Sequence, residues 1–212
     1  MGVFRDLSKL IPNSGVRSVA RKIGNAADRG IAHGAYEADR AAFFSDAEQT
    51  GNRITSAEFP VLPATLAELA ASPYNDLRTP INTAALFVVA LGAYSHNREE
   101  AITMINYLRG PCPMSADDIR LLDEFFAQNN EAGHFANSYL AGATPQNGYT
   151  PSQPYLVFIT DNPYTYIEKE YAHLLVACSG AEAPRSVTLR KAGDGLWYLW
   201  QHALLEPIYP PM

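Results

Sequence analysis

The residues of this chain whose types could support chemistry are its histidines, cysteines and neighbouring carboxylates. The five histidines form no HxxxH pair, and Cys112 and Cys178 form no CxxC pair. Structural zinc sites use short spacings of these kinds, so the sequence predicts no metal site. No fingerprint for a nucleotide or for another cofactor is present, and none is predicted to bind.

A nucleophile would need a base within hydrogen-bond reach. Cys178 follows His173 by five residues on a predicted strand. Side chains an odd number of positions apart point to opposite faces of a strand, so these two are predicted not to meet. Cys178 is interpreted as a small core residue. The chain also lacks a GxSxG nucleophile elbow and a P-loop.

Three carboxylate pairs could in principle act as acid and base, at Glu99/Glu100, Asp117/Asp118 and Asp123/Glu124. The first two pairs lie at predicted helix starts, where negative charge is favourable. The third lies opposite the apolar stripe of its helix, as a solvated face does. No catalytic residue is therefore assigned.

Tyrosines and basic residues provide a more promising set. The candidate binding residues are Tyr149, Tyr155, Tyr164, Tyr166, Arg185, Arg190 and Lys191. Tyrosine and arginine are enriched at binding hot spots, so we expect a surface formed by the loop 142–155 and the strand 185–191. The alternative interpretation is that the tyrosines pack the loop onto the sheet while the arginines neutralise nearby acids.

The elements that would position these residues are helices first and strands afterwards. Helix starts are predicted at Thr65, Thr79, Asn97 and Ser115, each followed by a capping partner or a proline. Three prolines predict an extended loop over 142–155. Strands are predicted over 155–160, 171–178, 186–191 and 196–201, with a hairpin turn at 192–195. This order predicts an α+β fold, with N-terminal helices packed on a small C-terminal antiparallel sheet.

Charge divides the chain unevenly. Residues 1–30 contain six basic and two acidic side chains, whereas the rest contains ten basic and twenty acidic ones. We therefore expect a basic amphipathic helical arm and linker over 1–60 and a globular domain over 61–212. The acidic body is atypical of a nucleic-acid partner, so none is expected.

The basic arm has two open interpretations. It could make a weak, peripheral membrane contact through residues 1–30, or it could dock on a partner or on the body's own acidic surface. The two cysteines and the lack of a secretory signal at the N-terminus favour a cytoplasmic location.

Three stretches carry a resemblance to a known family. They are DLRTPxNTAALF at 76–87, GATPxNxYTPSxPY at 142–155, and LRK with GxWxLW at 189–200. Over about residues 74–205 the chain resembles an uncharacterised bacterial family, a domain of unknown function. The resemblance implies a relative but no activity.

These observations predict a non-enzymatic binding or adaptor protein, with a protein or a small ligand as its partner. The body would present the Tyr/Arg surface and the arm would tether it. The alternative is a hydrolase-like enzyme with a catalytic cleft beside the loop 142–155. A third possibility is a component of a larger bacterial assembly.

Overall fold

A computed structural model of the protein describes residues 51–129 and 134–212. The predicted helical segments of the basic arm lie outside these residues. The α-helices and strands are β1 (Arg53–Phe59), α1 (Leu66–Ala70), α2 (Pro80–Ala93), α3 (Arg98–Arg109), α4 (Ala116–Asn129), β2 (Tyr155–Asp161), β3 (Tyr171–Val176), β4 (Arg185–Lys191) and β5 (Trp197–His202). Two short 3-10 helices, Ala136–Tyr139 and Pro145–Asn147, lie between α4 and β2.

The sheet has the order β1-β2-β3-β4-β5, and each neighbouring pair is antiparallel. All four predicted strands are present within two residues of their expected ends. The α+β prediction is therefore confirmed.

The predicted linker contains a strand that was not predicted. Residues 53–59 form β1, which pairs with β2 over seven residues from Arg53↔Asp161 to Phe59↔Tyr155. Ala57 and Phe59 are buried in the core. The folded body thus includes β1 as well as residues 61–212, because this strand buries its apolar side chains against residues about a hundred positions later.

Helix starts follow the predicted capping chemistry. Thr65, Thr79 and Asn97 each accept a hydrogen bond from the backbone N–H three residues later. Ser115 and Asp118 satisfy each other's backbone N–H groups reciprocally. These contacts satisfy N–H groups that a helix cannot satisfy internally.

The core lies between α2 and the sheet. Eleven of the fourteen residues of α2 are buried, and the helix contacts all five strands. Thr83, one of its few polar side chains, donates to the backbone oxygen of Trp197 at 2.7 Å. This bond satisfies a buried hydroxyl and holds β5 against the helix.

A bulge interrupts the last hairpin. Thr188 pairs with Gln201 and Leu189 with Leu199, so Trp200 has no residue opposite it. A bulge re-aims side chains and increases local twist. The side chain of Trp200 therefore does not follow the regular alternation between the two faces of the sheet.

Among the described residues, none of the helices has both the length and the apolar character of a membrane span.

Candidate functional site

Tyr149 lies inside the protein rather than on the expected binding surface. Its side chain is fully buried, its ring stacks on His134 at a centroid distance of 5.4 Å, and its hydroxyl donates to the Tyr209 carbonyl at 2.7 Å. Burial raises the pKa of Tyr149 above its ordinary value, so the hydroxyl remains a donor. Through this bond the Tyr149 hydroxyl contacts the segment 203–212, which we call the strap.

Arg185 binds the same strap. Its guanidinium forms an ion pair with Glu206, and Nη2 donates to the Pro207 carbonyl at 3.1 Å. Two predicted site residues, Tyr149 and Arg185, are thus occupied by the chain's own last residues.

Tyr155 lines a separate cleft beside the loop 142–155. The cleft has a volume of about 430 Å³ and is mostly apolar, with Leu62, Val88 and Leu140 in its wall. The Tyr155 hydroxyl accepts from Gln153 Nε2 at 2.9 Å. Among the described residues His96 lines this cleft, but no carboxylate does. Hydrolysis by carboxylates or histidine would use a convergent acid and base, and of these groups the described lining contains His96 alone.

Tyr164 and Tyr166 lie in the loop between β2 and β3, and about half of each side chain is exposed. Tyr166 meets Trp197 edge-on, with ring centroids 6.3 Å apart. Lys191 Nζ lies 5.8 Å from the centroid of the same tryptophan ring. The structure therefore brings together Tyr166 and Lys191, through a residue that the sequence analysis did not select.

Arg190 is held by two aromatic rings. Its guanidinium carbon lies 4.9 Å from the centroid of Trp200 and 5.8 Å from that of Tyr171. Stacking on ring faces leaves the N–H edge of a guanidinium free to donate to a ligand. Among the described residues, no carboxylate lies within 4 Å of the charged groups of Arg190 or Lys191.

A cleft of about 320 Å³, which we call the Trp200 cleft, is bordered by Arg190, Lys191 and Trp200. Its wall consists of the end of α3 with the following turn, Glu170, and the β4–β5 hairpin. Its lining residues are Arg109, Pro111, Cys112, Glu170, Arg190, Lys191, Ala192, Gly193, Tyr198, Leu199 and Trp200. Three basic residues and one acidic residue thus line it, which gives a local positive charge in an acidic body.

Gly110 sets how closely the turn after α3 approaches the hairpin. Its φ is +57°, and a Cβ there would lie 2.3 Å from the ring of Tyr198. Any other residue would force the turn and the hairpin apart. Tyr198 is fixed in turn by Asp194, which accepts from its hydroxyl at 2.8 Å.

Arg109 is oriented by the turn that follows it. Its Nε donates to the Cys112 carbonyl at 2.9 Å, and its Nη2 lies 3.9 Å from Asp118. At the far side of Trp200, a second recess of about 420 Å³ is bordered by Arg109, Trp200 and His202. Burial lowers the pKa of His202 to about 4, so this ring is neutral at pH 7 and adds no charge.

Trp197, Trp200, Tyr171, Arg109 and Glu170 were not among the predicted site residues. A signal for the tryptophans existed, because the hairpin turn at 192–195 places the WYLW stretch opposite Arg190 and Lys191. Arg109 had no such signal, because its proximity to the hairpin depends on how α3 packs.

The comparison with curated proteins gives no significant match, and neither does the comparison with solved structures. A family model does match the chain. It covers residues 61–212, from just after β1 to the end of the strap, and includes the whole Trp200 cleft. The chain belongs to the family described as a domain of unknown function (DUF6935).

Proposed function

We propose that the protein is a non-enzymatic binding protein whose body recognises an acidic group of its partner, a carboxylate or a phosphate, in the Trp200 cleft. The observation that carries this proposal is the set of groups around the charged ends of Arg190 and Lys191. Both cations lie over tryptophan rings and neither has a carboxylate within 4 Å among the described residues.

The contrast with other arginines supports this assignment. Arg53, Arg98 and Arg120 each form an ion pair within the body. Acidic side chains are in excess, so neutralising partners are plentiful. Arg190 instead rests between two rings, which reduces the side-chain entropy that it loses when it binds a ligand.

A planar guanidinium can donate two parallel N–H bonds to two oxygens of one carboxylate or one phosphate. An ion of this kind is attracted locally by Arg109, Arg190 and Lys191. The negative charge of the remaining body opposes a long polyanion, which favours a single acidic group over nucleic acid. The basic residues 1–30, outside the described part, would add a second contact that tethers the protein.

Intrinsic fluorescence tests the cleft directly, since the chain's two tryptophans, Trp197 and Trp200, both lie beside these cations. Titration with hexaglutamate, and separately with inorganic phosphate, should give a saturable change in tryptophan emission. Hexalysine should give none. Loss of a charged hydrogen bond costs about 1.5–3 kcal/mol, so Arg190→Ala should weaken binding by roughly 10- to 150-fold.

Arg120→Ala is the matched control, because this arginine is exposed on α4 and paired with Asp117 and Glu124. It should bind like the parent. If neither probe changes the emission, or if both variants bind equally well, the assignment of the cleft is refuted.

The arm has its own test in the full chain. Arg17, Arg21 and Lys22 are replaced by glutamate, and co-sedimentation with anionic and with neutral vesicles is compared with the parent. A membrane contact predicts that the parent sediments with anionic vesicles at low salt and that the variant does not. Equal sedimentation of the parent and the variant would exclude the membrane contact and leave docking on protein as the role of the arm.

A further inference from the structure

The strap is held to the body mainly through its backbone. Six hydrogen bonds join its main-chain atoms to the body: Ala203 N to Ser186 O at 2.8 Å, Tyr139 hydroxyl to Leu204 O at 2.5 Å, Arg185 Nη2 to Pro207 O at 3.1 Å, Tyr149 hydroxyl to Tyr209 O at 2.7 Å, Tyr209 N to Gly180 O at 2.9 Å, and Met212 N to Pro145 O at 2.8 Å. Contacts of this type recognise a backbone path and depend little on side-chain identity.

The strap has the composition of an extended peptide ligand. Residues 206–211 read EPIYPP, and no helix or strand is assigned to 203–212. Prolines favour an extended backbone without internal hydrogen bonds, so its carbonyls are free to accept from outside. Tyrosine hydroxyls that donate to such carbonyls are a recurrent means of recognising proline-rich segments.

Two side chains add selectivity. Glu206 forms an ion pair with Arg185. Ile208 packs against Gly180, where a Cβ would lie 2.7 Å from the Ile208 Cβ. Position 209 must keep its N–H, because that group donates to Gly180 O. The groove thus selects an acidic residue at position 206, a branched apolar residue at position 208 and a residue other than proline at position 209. Prolines at positions 207 and 210 favour the extended backbone that the groove holds.

Much of the strap beyond Leu204 is nevertheless exposed. Tyr209 is 45% exposed and Met212 is 83% exposed, whereas Leu204 is fully buried. Segments with few buried contacts open at a lower free energy than the core does. Release of residues 206–212 would leave the β-sheet intact, since β5 ends at His202.

We infer that the groove lined by Tyr149, Gly180 and Arg185 is a receptor for a proline-containing segment of a partner protein with this acidic-Pro-apolar-X-Pro pattern. In this structure the chain's own strap fills it. The groove is separate from the Trp200 cleft, and the inference does not depend on the proposed function.

The probe is a fluorescein-labelled peptide of residues 204–212, followed by fluorescence anisotropy with the full chain. A tethered segment has an effective concentration of the order of millimolar, so the parent should bind dilute peptide weakly. Weakening the strap in the full chain by Glu206→Ala with Tyr209→Pro should make peptide binding at least about tenfold tighter, because the internal competitor is lost. Adding Tyr149→Phe should reduce this gain by about fivefold, as one hydrogen bond is removed.

The control peptide contains proline at the position of Tyr209 and should bind weakly to every variant. Near-UV circular dichroism confirms folding, and Glu206→Ala with Ile208→Ala replaces the first strap variant if that one unfolds. The inference is overturned if a folded strap variant binds the peptide no tighter than the parent. A dimer of the parent in sedimentation equilibrium that the strap variant lacks would reassign the groove to a second copy, and would equally overturn it.

Discussion

His202→Phe should remove a specific part of the acid sensitivity of this protein. His202 is the last residue of β5, and its ring meets Phe87 of α2 at a centroid distance of 4.7 Å. Its Nδ1 is buried and has no hydrogen-bond partner among residues 51–129 and 134–212. Burial and, to a lesser extent, the nearby charge of Arg109 lower the pKa of His202 from 6.5 to about 4, although Asp118 opposes them.

The sign of the effect follows from proton linkage. The folded pKa lies below the unfolded one, so the unfolded chain binds a proton first as the pH falls below 6.5. Stability contributed by the neutral ring is fully present above that pH and is lost progressively toward pH 4. The difference of about 2.5 pKa units corresponds to about 3 kcal/mol in full, and to about 2 kcal/mol at pH 5.

Urea unfolding between pH 7.5 and 5.0, followed by far-UV circular dichroism, measures this loss. Phenylalanine retains a ring against Phe87 and cannot titrate, so the free energy of unfolding of His202→Phe should fall less than that of the parent, by about 2 kcal/mol at pH 5. The carboxylates of Asp118 and Asp123 have lowered pKa values and titrate below this window.

Gln201→Ala provides the control, because Gln201 precedes His202 on β5, is exposed and has no titratable group, so its replacement should leave the pH profile of the parent unchanged. Parallel profiles for the parent and His202→Phe would refute the reasoning that burial keeps this ring neutral.

Three further substitutions test the site and the boundary of the body. Arg190→Lys should keep the charge but lose the planar stack on Trp200, so hexaglutamate binding should weaken by about tenfold while the urea midpoint stays near that of the parent. Gly110→Ala should lower the free energy of unfolding by about 2–4 kcal/mol through its positive φ and the collision with Tyr198, and a midpoint like that of the parent would contradict the close approach. Phe59→Ala should cost about 3 kcal/mol in the same assay, since its side chain is 3% exposed; a cost below about 1 kcal/mol would mean that β1 is not part of the core.

Much of the fold could be predicted because it is encoded locally. Each helix cap depends on residues within about three positions, as at Thr79 and Asn97, and the hairpin turn depends on four residues. β1 escaped prediction because its seven residues lie isolated from the other strands, and only pairing with β2 gives them a partner.

The sequence by itself determined which residues carry positive charge and aromatic surface, and one short turn places Arg190 and Lys191 opposite the stretch WYLW, which contains both tryptophans. Only the tertiary structure decided what those groups contact. Tyr149 and Arg185 have the same chemistry as Tyr166 and Arg190, yet the first two hold the strap and the last two border open space. The physical reason is that exposure depends on segments distant in the chain, and no local pattern specifies which of them cover a given side chain.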